Sequence, residues 1–367
     1  MNPILKYLKD FFAAERILGD EVNLKGLVEA DTLLQNLVKC NKVPGLAITV
    51  LKEGKTIFQK GYGFADLEQK TSVNPQKTIF RVASVSKPIA ATALAIMVEE
   101  GIIDLDASFY RYVPYYPKKR WDFTIRQLAS HTAGIRAYRG KEYGLNLPYG
   151  IKESLVVFQD DELLFEPGQG YLYTSFDWVL ISLAMQEASG IPYEKYVQEK
   201  VLHPLYMKNT FAPTHPNLDK GSHALSDIEK PKNLASFFTK SLRGFRKAIP
   251  VNNYYKLAGG GYLSTSEDIA KFGQAYLEGK LLSKEMRSRF LTSQVVLDKP
   301  TYYGLGWQVS EDAKGRNFYG HVGNGVGGYS NFFVYPEQQM VFSVLINCTD
   351  PKIQGELDHV VDCFFNA

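Results

Sequence analysis

Cysteine is scarce in this sequence: Cys40, Cys348 and Cys363 are odd in number, far apart and in no CxxC pair. A disulfide framework and a thiolate zinc site are therefore excluded as organising devices, and buried free thiols are expected. Long apolar runs are missing too. No stretch approaches the roughly 18 unbroken apolar residues of a membrane-spanning helix. The N-terminal segment MNPILKYLKDFFAAERILGDE carries Lys6, Lys9 and Asp10 where a signal peptide needs an apolar centre. The expectation is a chain that neither spans a membrane nor is exported, cytoplasmic by default unless a signal peptide has been removed. Charge of one sign is also lacking. The 42 Lys and Arg nearly balance 39 Asp and Glu, and no block of like charges could track a phosphate backbone, so nucleic acid is not an expected partner. Histidine is sparse: His203, His215, His223 and His359 sit at spacings that suit no single metal site, and HExxH is absent, so neither a metal nor another cofactor is expected. There is no GxSxG elbow of the α/β-hydrolase kind, no repeat of fixed period and no low-complexity tract.

What is present is the balance of a globular protein, 45% hydrophobic and 22% charged, in a chain of 367 residues long enough for one large or two interleaved domains. The abundant tyrosine and phenylalanine suit a packed core first and an apolar cleft second. Residues 3–40 read as helical from Leu5, Leu8 and Phe12 and then Leu33, Leu34 and Leu37. Residues 45–63, GLAITVLKEGKTIFQKGYG, read as a β-hairpin around Glu53-Gly54-Lys55. Strand signals then disappear. Residues 105–250 look helical and loop-like with no obvious strand pair, and a basic, proline-interrupted stretch runs from 213 to 250. Strand signals return in GLGWQV (304–309), RNFYGHV (316–322), YSNFFVYP (329–336) and MVFSVLIN (340–347), before a short C-terminal helix. The fold class expected is α+β: an antiparallel sheet flanked by helices, built from residues 1–83 and 251–367, with residues 84–250 inserted as a mainly helical domain. An active site is expected at their interface.

The chemistry begins at Ser84-Val85-Ser86-Lys87. Residues three apart share a helical face, so a hydroxyl at the helix start would sit beside an ammonium one turn on. Serine is a poor nucleophile at neutral pH, and lysine can act as its base only where burial lowers its pKa. The apolar run 88–98 offers that burial, and the helix N-terminus favours negative charge on an attacked carbonyl. Alone, SxxK is a weak motif.

Its context is specific. FRVASVSKP (80–88), TIRQLASHTAGI (124–135), EPG…YLYTS (166–168 and 171–175), AGGGYLST with Asp268 (258–268) and HVG (321–323) follow in order. Together they resemble the serine β-lactamase and penicillin-binding protein superfamily, in particular its class C-related esterase and D-aminopeptidase-like branch with an HxG third motif. That resemblance implies a β-lactamase/transpeptidase-like fold and an acyl-enzyme mechanism on a small-molecule or peptide substrate. It implies Ser84 as nucleophile, Lys87 and Tyr173 as its proton-transfer partners, and backbone N–H groups of Ser84 and Asn324 as the oxyanion hole. Ser175, His321 and Gly323 are implied in substrate binding, with His321 holding a carboxylate or the deacylating water. The 213–250 stretch is expected to overhang the cleft. Two departures bear on substrate: His321 stands where many relatives have lysine, and Ser175 where the β-lactamase pattern has asparagine. Both lower the expectation of efficient β-lactam hydrolysis.

Other readings are weaker. GNGVGG (323–328) matches GxGxxG but precedes a strand, so a turn is expected, not a dinucleotide site. His131 is expected to form structural hydrogen bonds, not to act as a triad base. The alternative to an enzyme is a non-catalytic or singly acylated module that binds peptidoglycan peptides or penicillins. The sequence leaves the oligomeric state open.

Overall fold

The structure is a computed structural model and describes residues 24–213 and 233–365. Leu5, Leu8, Phe12, His215, His223 and residues 214–232 of the basic stretch lie outside the described residues. Along the chain come α1 (Leu24–Lys39), the hairpin β1 (Gly45–Lys52) and β2 (Lys55–Asp66), short β3 (Thr71–Ser72), and helices α2 (Ser86–Glu99) and α3 (Ser175–Ser189). Hairpin β4 (Phe238–Ser241) and β5 (Gly244–Lys247), helix α4 (Ser266–Leu277), and strands β6 (Gln308–Glu311), β7 (Asn317–Gly325), β8 (Gly328–Tyr335), β9 (Met340–Ile346) and β10 (Cys348–Thr349) follow. Helix α5 (Gln354–Phe365) ends the described chain, and shorter helical turns and two-residue strands join these elements.

The expected hairpin forms. Glu53 and Gly54 adopt φ of 51° and 77° between β1 and β2, the left-handed pair whose twist matches the flanking strands. Early and late strands merge into one antiparallel sheet of order β6-β7-β8-β9-β1-β2-β3, with β1 and β9 in register from Leu46 opposite Ile346 to Lys52 opposite Met340. β9 is buried along its whole length, as a central strand covered on both faces must be. On one face α1 and α5 pack Leu34, Leu37, Leu357 and Phe364 against Ile48 and Val344. The other face meets α4, which approaches closely because a Cβ at Gly273 would lie 2.6 Å from Val341 Cγ1.

Beyond that face lies α2, buried from Ser86 to Met97. A helix apolar all round belongs in a core, and shortening a side chain such as Leu94 to alanine there costs about 2–5 kcal/mol. Pro88 sits in its first turn, where its missing N–H is an orphan donor anyway, and Gly101 with φ 70° ends it.

Residues 105–250 do contain a strand pair, where the sequence showed no obvious one. β4 and β5 form a hairpin through Leu242-Arg243, and β4 pairs in parallel with β10. Its strands are four residues each, half-exposed and rich in Lys, Arg and Ser, so no alternation marks them. The thiols are free, with Cys348 and Cys363 buried as expected but Cys40 exposed just beyond α1. Among the described residues no helix is long and apolar enough to cross a membrane.

Candidate active site

Ser84 lies in the short turn (Ala83–Val85) that leads into α2, immediately after a strained residue. Ala83 has φ 46°, a left-handed conformation that costs an L residue roughly 1–2 kcal/mol. β7 runs against this turn: a Cβ on Gly323 would lie 3.1 Å from Ser84 N, 2.5 Å from Val82 O and 2.3 Å from Ser330 Oγ. Gly323 is therefore a close-approach residue packed under Ser84 and offers no side chain to a substrate.

Lys87 stands one turn along α2 with Nζ 3.2 Å from Ser84 Oγ and 3.5 Å from Ser175 Oγ. It donates to Gly259 O at 2.6 Å. Burial brings its ammonium down to about 7; Asp177 works against that shift and Lys256 adds to it. Tyr173 donates its hydroxyl to Ser84 Oγ at 2.8 Å, and its ring lies 4.6 Å from Lys87 Nζ. Tyr173 is 36% exposed as a residue, and burial of its hydroxyl raises its pKa against the opposing bond to Ser84.

The TIRQLASHTAGI segment buttresses Tyr173. Gly168 N donates to Thr132 O at 2.8 Å and Leu172 N to His131 O at 2.9 Å, so the tyrosine loop is tied to this segment on both sides of its bend. The His131 ring packs 4.5 Å from that of Tyr173, and its Nδ1 lies 2.6 Å from Asp177 Oδ2. Both groups are fully buried, and burial favours their neutral forms. The expected structural role of His131 fits this arrangement. The glycine-rich segment runs alongside the nucleophile turn: Val82 N donates to Tyr262 O at 3.2 Å, and Tyr262 N to Ser86 Oγ at 3.1 Å.

The two residues named for the oxyanion hole line one cleft. Val322 N donates to Gln308 Oε1 at 2.8 Å, so two-residue alternation turns the Asn324 amide to the same edge of β7, away from β8. Ser84, Ser175 and Asn324 line this cleft with Gly259 and Gly260. GNGVGG forms the two-residue turn from β7 to β8, with Gly327 at φ 73°.

His321 requires correction as a carboxylate anchor. It is 1% exposed, with Nε2 3.0 Å from Tyr303 OH and Nδ1 2.6 Å from Val322 O. Burial, helped by Lys87, holds its pKa down near about 3, so both nitrogens are engaged on a neutral ring. The pleat explains its place: His321 and Gly323 alternate onto the buried face of β7. The 238–247 part of the basic stretch forms the β4–β5 hairpin, preceded by Phe237, which carries Arg81 at 4.1 Å over its ring.

Three groups were not anticipated. The Gly259 carbonyl has no residue signature, and Tyr138 and Lys256 belong to no motif. Tyr138 is pushed up to about 12 by burial, with Ser175 and Tyr255 opposing that shift. Away from the cleft, Glu29, His359 and Cys363 bring one ligand atom each within 4.8 Å of the others. Burial raises the Cys363 thiol to about 11, which disfavours the thiolate.

Residues 30–362 match the sequence profile of the family described as Beta-lactamase. The chain belongs to the β-lactamase family. Among curated relatives, the human mitochondrial serine β-lactamase-like protein LACTB is 27% identical over 394 positions, covering 80% of this chain and 69% of the relative. Among solved structures, the octameric penicillin-binding protein homologue from Pyrococcus abyssi superposes with TM-score 0.76 at 25% identity over 89% of this chain and 74% of that one. D-amino acid amidase from Ochrobactrum anthropi SV3, in complex with D-phenylalanine, reaches TM-score 0.78 at 20% identity over 92% and 99%, a likeness of fold. The mixed helix and antiparallel sheet architecture expected from the sequence is the fold of these neighbours.

Proposed function

We propose that this chain is a serine hydrolase acting through an acyl-enzyme at Ser84 on an ester or amide. The observation that carries this reading is the bracketing of Ser84 Oγ by Tyr173 OH at 2.8 Å and Lys87 Nζ at 3.2 Å, inside a wall that lowers the lysine's pKa. Neutral Lys87 accepts the Ser84 proton, directly or through Tyr173, as Oγ attacks the carbonyl carbon. The amides of Ser84 and Asn324 stabilise the oxyanion. When the bond to the leaving alcohol or amine breaks, Tyr173 supplies its proton and is reprotonated from Lys87. Water then attacks the acyl-enzyme, the acid leaves, and Ser84 regains its hydrogen.

Ser175 offers a hydroxyl where an asparagine carboxamide would grip an acylamide, and neutral His321 carries no charge for a substrate carboxylate. Simple esters and amides are thereby favoured over β-lactams, and the amidase named among the structural neighbours makes D-amino acid amides a class to include. Turnover of a p-nitrophenyl ester, a D-amino acid amide and a penicillin by wild type and Ser84→Ala tests this reading. Ser84-dependent turnover of an ester or amide is expected; stoichiometric acylation without turnover would favour the non-catalytic binding module.

A further inference from the structure

The cleft over Ser84 contains two cations that neither give nor take a proton in the acyl-transfer steps above. Lys256, just before the glycine-rich segment, is 8% exposed and lines the cleft with Arg81, Ser84 and Asn324. Its ammonium donates to the Tyr143 carbonyl at 3.3 Å and otherwise faces aromatic rings, Tyr138 at 5.3 Å and Tyr255 at 5.6 Å. Arg81 donates Nη1 to Val326 O at 2.7 Å while stacking on Phe237. Among the described residues no carboxylate pairs with either cation. Burial brings Lys256 down to about 8, with Arg81 pushing the same way, and burial brings Arg81 to about 10. Two desolvated like charges in one cleft are costly unless an anion lies between them.

The position of this pair defines which part of a substrate it meets. Tyr173, the group that protonates the leaving group, is not in the wall of this cleft. The leaving group therefore departs on the Tyr173 side, and the acyl part points into the cleft that Lys256 and Arg81 line. Resting on the acyl-enzyme reading above, we infer that the acyl part of the substrate carries a carboxylate held by Lys256 and Arg81, so that the preferred substrates are short half-esters or half-amides of dicarboxylic acids. An acyl part bearing a free amino group, as in a D-amino acid amide, meets repulsion at the same place.

The test compares kcat/KM for the mono-p-nitrophenyl ester of adipic acid with that for its methyl ester, and with a D-phenylalanine p-nitrophenyl ester. The wild type is expected to prefer the charged monoester by about tenfold or more, the scale of a charge-assisted contact. Lys256→Met should collapse that ratio toward one, and Lys256→Arg should keep it. Free adipate should inhibit the wild type competitively and adipamide should not, a comparison that needs no variant to fold. Ser84-dependent hydrolysis with no preference for the monoester, or a preference that survives in a folded Lys256→Met protein, overturns the inference and leaves the hydrolase reading standing. Hydrolysis that Ser84→Ala does not diminish overturns both.

Discussion

Lys87 donates to the carbonyl of Gly259 at 2.6 Å, a shorter contact than its 3.2 Å approach to Ser84 Oγ. The glycine-rich segment thus fixes the amine in a buried wall, and a Cβ at Gly259 would lie 3.0 Å from Ser175 Cβ, so a side chain there would press on the start of α3. Ser84, Lys87 and the start of α3 are held together by one stretch of backbone.

This arrangement sets a pH dependence. Lys87 acts as a base only when neutral, and burial has lowered it from 10.5 to about 7. kcat/KM should rise with pH through about 7 and level off above it, with the break assigned to the free enzyme. A flat profile between pH 5 and 9, read against the Ser84-dependent reaction, would contradict this role for Lys87.

The same shift predicts a stability effect. The unfolded chain keeps the Lys87 proton up to about 10.5 while the folded chain releases it near about 7, so between these values the unfolded state binds more protons and stability rises with pH. The cost of burying the charge is fully present below pH about 7. Lys87→Met should abolish activity yet raise Tm relative to wild type at pH 6, with the advantage shrinking toward pH 10. Thermal melts at both pH values check the sign, and a gap that widens with pH would contradict it.

Ser84→Ala should lower kcat by several orders of magnitude with Tm within a few degrees of wild type. Lys87→Ala should cost almost as much, and the double variant little more, because the two groups act as one unit. Additive losses in kcat would mark Lys87 as structural.

Tyr173→Phe removes the hydroxyl placed 2.8 Å from Ser84 Oγ and leaves the ring against His131. The loss in kcat should reach roughly 10²- to 10⁴-fold for an amide, whose amine leaves only with a proton. For a p-nitrophenyl ester it should be smaller. Equal losses for both substrates would place Tyr173 outside leaving-group protonation.

Gly323→Ala tests the close approach of β7 to the nucleophile. Its Cβ would lie 2.5 Å from Val82 O and 2.3 Å from Ser330 Oγ, so overpacking should cost about 1–3 kcal/mol. Urea denaturation should show the loss, and kcat should fall with it as the strand moves off Ser84. Wild-type stability would show that the strand has room to spare.

The sheet and the Ser84–Lys87 pair were legible because both rest on local periodicity: alternation and a glycine turn for β1 and β2, a three-residue spacing at the start of α2. Tyr173 lies far along the chain, and only the ordered motifs linked it to Ser84. His321 was placed in the right neighbourhood but as a carboxylate anchor it does not fit, since sequence does not reveal which face of β7 turns inward. Lys256 left no signal at all. A lone lysine among tyrosines reads as surface until the fold buries it, and the β4–β5 hairpin was hidden by its short, polar strands.

The most direct measurement is intact-protein mass spectrometry after incubation with a fluorophosphonate, followed by peptide mapping, on wild type and Ser84→Ala. A single adduct on Ser84 in the wild type, absent from the variant, is the predicted result. An adduct on another residue, or none on a folded wild-type protein, would contradict the assignment of Ser84 as nucleophile.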